Sequence, residues 1–189
     1  MVMHFLLNID IKCDSSRDID RLILRAVSTF ENQAIVRFRV VGEPRLLFVL
    51  QVDDETLLNT ICSPLINDVS YTVMCTQLIP SFNLIPTVNM QLFVPTNYAR
   101  NYYHWTDITI DFHANTPPTI DEINSLWENE EDECQQYGIS QLWKFKELGK
   151  FRVHMFTCST RHEGTENLRL PLPRNCGQIN KQIKMLTMI

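Results

Sequence analysis

The chain has 189 residues, 44% of them hydrophobic and 21% charged, with 17 Lys+Arg against 22 Asp+Glu for a net charge of −5. A chain of this length buries about two-thirds of its unfolded surface, enough to fold without staples, and the composition excludes a disordered polymer. Net acidity is the wrong sign for counterion release on a phosphate backbone, and no apolar run reaches the ~18 to 20 residues of a membrane helix, so neither nucleic acid nor membrane is an expected partner.

The six cysteines, Cys13, Cys62, Cys75, Cys134, Cys158 and Cys176, form no CxxC pair and no compact spacing. They read as reduced thiols. The first residues, MVMHFLLNIDIKCD, are interrupted by Asn8 and Asp10 and make a poor signal peptide. A cytoplasmic location is the expectation.

Residues 4–12 alternate, with Phe5, Leu7, Ile9 and Ile11 on one side and His4, Asn8, Asp10 and Lys12 on the other, which predicts a half-buried strand. A helix follows, because Ile19, Leu22, Ile23, Ala26, Val27 and Phe30 recur at helical spacing behind the capping serines Ser15 and Ser16. Residues 34–42 and 45–52 read as a hairpin turned by Gly42, Glu43 and Pro44. Asp54 caps a second helix carrying Leu57, Leu58 and Ile61 inward, with Pro64 near its end, and residues 70–79 make a fourth strand.

Residues 81–101 interrupt this rhythm with Pro86 and Pro95 and read as a connector, within which VNMQLFV (88–94) is a possible extra strand. The order then begins again. YYHWTDITIDF (102–112) predicts a strand, Thr119 and Glu122 a capping box opening a helix to Tyr137, and Gly138 its stop. Residues 139–149 and 150–158 predict a second hairpin around Gly149, and residues 183–189 a last strand. Between them, residues 160–182 offer only a short helix broken by Pro171 and Pro173.

These elements specify an α+β chain of two tandem ferredoxin-like βαββαβ repeats, residues 1–80 and 102–189, joined by the connector 81–101. A repeat with two helices covers one face of its sheet. Packing the open faces sheet to sheet as a single-chain, pseudo-dimeric α/β barrel is the expected solution, as a monomer with an internal pseudo-dimer or as a homo-oligomer.

The stretch QLWKFKELGKFRVHMFTC (141–158) resembles the strand-turn-strand of the muconolactone isomerase family, and VRFRVVG (36–42), FVLQVDDETLLNTICSPLI (48–66) and YTVMCTQL (71–78) are similar to its other elements. The resemblance implies a cofactor-independent isomerase or cyclase that moves a proton in a small unsaturated lactone. It places Trp143 and Lys144 on family-like positions. Where these isomerases carry a histidine before the Leu-Trp pair the chain has Gln141, which does not titrate near neutrality.

Alternation selects the candidate site. With Ile108, Ile110 and Phe112 toward the helices, Trp105, Asp107, Thr109 and Asp111 share the opposite face; with Phe151, Val153 and Met155 inward, Arg152 and His154 join them. His154, Asp107 and Asp111 are the catalytic candidates, the carboxylates raising the pKa of the histidine. Trp105, Trp143, Lys144, Lys146 and Arg152 are the substrate-binding candidates. No metal is expected, since His154 and Cys158 on one strand would stand about 13 Å apart, and His162 does not bring them closer. The absence of a glycine-rich phosphate loop leaves no cofactor expected.

The function so predicted is an isomerase-like or cyclase-like protein acting by proton transfer on a compact unsaturated or carboxylated small molecule bound between the two sheets. The alternative is a non-catalytic ligand-binding or protein-interaction scaffold, its charges forming a salt-bridged seam and its acidic helix face of Glu128, Glu130, Glu131, Asp132 and Glu133 meeting a protein partner, or else simply solvated.

Overall fold

The computed structural model describes residues 2–13, 16–80, 102–112, 118–159 and 177–189. The connector 81–101 with its possible strand, His162, Cys176 and the proline-broken segment at Pro171 and Pro173 lie outside the described residues. The chain is mixed α+β and dominated by strands, and it divides into two compact units, the first holding residues up to Pro80 together with Leu186–Ile189. No helix among the described residues is long and apolar enough to cross a membrane.

The first unit runs β1 (Met3–Ile11), α1 (Ser16–Phe30), β2 (Ala34–Val40), β3 (Arg45–Val52), α2 (Glu55–Ile66) and β4 (Tyr71–Pro80). Its sheet has the antiparallel order β4, β1, β3, β2, and Phe38, Arg39 and Val40 of β2 also pair with Met188, Thr187 and Leu186. Gly42 turns the hairpin at φ 79°, a left-handed conformation that other residues adopt at a cost. Asp54 accepts the Leu57 amide at 2.7 Å, satisfying one of the donors left open at the start of α2.

The helix side of this sheet is apolar, and the buried Tyr71 hydroxyl donates to the Leu22 carbonyl at 2.9 Å. Leu22, Ile23, Ala26 and Phe30 of α1 pack on Phe5, Leu7, Ile9, Leu46, Phe48 and Leu50. Phe30 is fully buried with its ring 5.1 Å from that of Phe48, so truncation to alanine costs about 3–5 kcal/mol.

In the second unit come β5 (Tyr102–Phe112), α3 (Ile120–Gln136), β6 (Ile139–Glu147), β7 (Arg152–Ser159) and β8 (Gly177–Met188) as far as Met185, with sheet order β8, β5, β7, β6. The capping box at Thr119 and Glu122 forms as expected, each satisfying the other's backbone amide. Ile108, Ile110, Val153 and Met155 pack under Leu126, Trp127 and Cys134 of α3, as alternation requires. Gly177 lies against β5: a Cβ there would stand 2.4 Å from the Asp111 carbonyl oxygen, so only glycine allows β8 this approach.

Two elements differ from expectation. The second hairpin turns over Leu148–Phe151, so β7 begins at Arg152, and Phe151 is 57% exposed rather than buried. It packs edge-on against Phe112 with centroids 4.6 Å apart. The last strand begins at Gly177 rather than at Ile183, because its alternating positions include Lys181 among the half-buried residues and so hide the apolar signal. The unit shows the order β, α, β, β, β among the described residues, and the helix that would complete a second repeat falls on the segment outside them.

Candidate functional site

The pairing of β5 with β7 sets Asp107 directly opposite His154, Trp105 opposite Phe156 and Thr109 opposite Arg152. The pairing of β6 with β7 sets Phe145 opposite His154 and Trp143 opposite Phe156. Because neighbours across a ladder share a face, Trp105, Asp107, Trp143, Phe145, Arg152 and His154 all lie on the face away from α3. Glu147, two residues beyond Phe145, joins them.

The polar members of this face form one network. Arg152 donates to both Asp107 oxygens, Nε to Oδ1 at 2.8 Å and Nη2 to Oδ2 at 2.5 Å, and its Nη1 lies 3.2 Å from Glu147 Oε1. His154 is buried between Glu147 and Trp105: its Nε2 is 3.1 Å from Glu147 Oε1, and the Trp105 indole N–H reaches its Nδ1 at 3.3 Å. A nitrogen that accepts from an indole carries no proton of its own, so the neutral ring is protonated on Nε2 and donates to Glu147. Lys150 closes the network, with Nζ 2.9 Å from Glu147 Oε2.

Burial decides the charge state of the histidine. Desolvation lowers its pKa below the ordinary value and outweighs the pull of Asp107 and Glu147 in the other direction, so the expectation of a raised pKa is corrected. Burial pushes the Glu147 carboxyl up, but Lys150, His154 and Arg152 together hold it below its ordinary value. The hydrogen bond to Asp107 raises the pKa of Arg152 further.

One end of the network opens to a groove of about 490 Å³ lined by Thr109, Asp111, Phe112, Lys150, Phe151 and Arg152. Asp111 lies four residues beyond Asp107 on β5, does not reach His154, and accepts from the Asn180 amide of β8 at 3.0 Å. The Arg152 side chain is 36% exposed, so it belongs to the buried network and to the groove at once.

Lys144 and Lys146 do not join this face. They stand opposite Met155 and Val153, on the α3 side. The Lys144 ammonium binds Glu130, which is fully buried and also accepts from the Gln141 amide, and it sits 4.6 Å from the Trp127 ring centroid. A cavity lined by His154, Asp107 and Lys144 together is therefore ruled out by strand parity. In the first unit Asp10 accepts from the Arg45 guanidinium at 2.7 Å.

Sequence reasoning missed two residues that carry these networks. Glu130 sits in an acidic run that looked solvated, but it follows Trp127 by three residues and precedes Cys134 by four, which places it on the buried stripe of α3. Glu147 continues the alternation of Trp143 and Phe145, the same parity that brings His154 to this face.

No family model matches the chain, and no curated protein matches it. Solved structures do. A chlorite dismutase from Candidatus Nitrospira defluvii, in a mutant form, aligns over 98% of this chain and 91% of its own with a TM-score of 0.63 at 11% identity. The protein TA0507, provisionally assigned as a chlorite dismutase, aligns over 100% and 95% with a TM-score of 0.57 at 13% identity. A Fusobacterium nucleatum protein provisionally assigned as a monooxygenase aligns over 99% and 92% with a TM-score of 0.56 at 9% identity.

The fold is thus of the chlorite dismutase-like, ferredoxin-like α+β kind. At these identities the likeness defines architecture alone. It also corrects the resemblance to muconolactone isomerases: the residues that carried it, a strand, a glycine turn and a second strand, are what any hairpin in such a sheet requires.

Proposed function

We propose that the chain binds a compact, carboxylated small molecule in the groove at the Arg152 end of the second unit. The observation that carries this is the position of Arg152. Its guanidinium is fixed by Asp107 and Glu147, yet the side chain is a third exposed and lines the groove, and two of its five N–H donors have no partner among the described residues. A guanidinium held in place by others is preorganised for a carboxylate. Lys150 adds a second cation, the Phe112 and Phe151 rings an apolar wall, and Asp111 has the Asn180 amide as a partner. The likeness to proteins named as a chlorite dismutase and a monooxygenase supports a fold that handles small molecules.

Binding without proton transfer is the better reading of the histidine. Both ring nitrogens of His154 are engaged, and Nδ1 is able to take a proton only if the Trp105 indole withdraws. Buried, paired charges of this kind specify structure as readily as they serve chemistry.

Titration calorimetry with benzoate, set against the neutral benzyl alcohol, tests the proposal. Benzoate is expected to bind in the millimolar range or tighter and benzyl alcohol not measurably, and Lys150→Ala is expected to weaken benzoate. Equal binding of the two probes, or benzoate binding unchanged in the variant, overturns it.

A further inference from the structure

On the opposite face of the same sheet, Lys144 and Lys146 share one indole, with Nζ atoms 4.6 Å and 6.0 Å from the Trp127 centroid. Their surroundings are unequal. Lys144 is buried and bonded to Glu130, which also accepts from Gln141, and among the described residues no ion pair joins that carboxylate to Lys146. Lys146 is half-buried and, among the described residues, has no carboxylate partner. At 6.0 Å the indole is at the outer limit of cation–π attraction and compensates little. Burial first, and the Lys144 charge second, lower the pKa of the Lys146 ammonium. A lysine placed against an apolar wall beside another cation has its neutral, nucleophilic form favoured.

We propose that Lys146 is a nucleophilic lysine that captures a small aldehyde or ketone as an imine on the α3 side of β6. The Nζ lone pair forms a C–N bond to the carbonyl carbon while the C=O π pair moves to oxygen, which takes up the proton that nitrogen loses. The carbinolamine then expels water, and the C=N bond replaces it. Nothing is oxidised or reduced, and water is the only species released. This site and the Arg152 groove lie on opposite faces of the sheet and share no residue, so either stands or fails alone.

The test is competitive reductive alkylation of the intact chain with acetaldehyde and cyanoborohydride, used below stoichiometry near neutral pH, with the labelled lysines located by peptide mass spectrometry. Lys150, an exposed lysine paired with a carboxylate, is the internal reference. Lys146 is expected to be ethylated several-fold faster than Lys150, with the advantage shrinking as pH rises to where every lysine is neutral. Labelling of Lys146 no faster than Lys150, or an advantage that stays constant with pH, overturns the proposal.

Discussion

Trp105 donates its indole N–H across the ladder to Nδ1 of His154, while Asp107 Oδ1 stands 3.8 Å from the same nitrogen. The two neighbours ask for opposite protonation states. An indole N–H is satisfied by the bare nitrogen, a carboxylate by the protonated one, and burial favours the bare form. Replacing Trp105 by Phe keeps an aromatic ring but removes the donor. The expected result is a loss of about 1–2 kcal/mol in stability and an upward move of the His154 pKa, read from the imidazole proton shifts in an NMR titration. A histidine pKa that stays put would show that the indole does not control it.

The lowered pKa of His154 also fixes a sign for the pH dependence of folding. The unfolded histidine binds a proton at higher pH than the folded one, so its stabilising contribution is fully present above 6.5 and is lost as pH falls from there through the folded pKa. Denaturation midpoints measured across this range should decline toward acid in the native chain, and the decline should be smaller in His154→Gln. Glu147 contributes in the same direction, its loss beginning only below its ordinary 4.5.

Arg152 pairs with two buried carboxylates, and its removal strands Asp107, while Glu147 keeps Lys150 and His154. Arg152→Ala is expected to cost about 3 kcal/mol in urea denaturation, toward the low end for a broken buried pair because the guanidinium is partly exposed. Arg152→Lys should recover only part of this, since an ammonium does not bridge both Asp107 oxygens as the planar fork does. Full recovery by lysine would mean that charge alone, not bidentate geometry, holds Asp107.

Under α3, Lys144→Ala leaves Glu130 buried with only Gln141 and Cys134 as partners. A loss of about 3–5 kcal/mol is expected, whereas Lys144→Met combined with Glu130→Leu should come close to the native stability. A double variant as unstable as the single would show that packing at Lys144, and not the uncompensated carboxylate, sets the cost.

Strand and helix order among the described residues was legible because alternation and helical spacing are strong in β1, α1 and β5, and because the Thr119 and Glu122 box marks the start of α3. Parity put Asp107, Asp111 and His154 on one face, and the β5–β7 register then sets Asp107, not Asp111, opposite His154. The lysines of β6 did not, because charged residues were read as facing the site while the parity of Phe145 opposite His154 puts Lys144 and Lys146 under α3. Glu130 and Glu147 escaped for a related reason: a buried carboxylate looks like a solvated one until its cation is located in space. Burial also reversed the expected shift of His154, which the neighbouring charges alone would have raised.

Backbone amide shifts recorded while benzoate is titrated into the chain test the central claim most directly. Binding at the proposed groove predicts that the largest changes map to residues 109–112 and 150–152, on the β5 and β7 ends that line it. Changes confined to other parts of the chain, or none at all, would contradict a ligand site at Arg152.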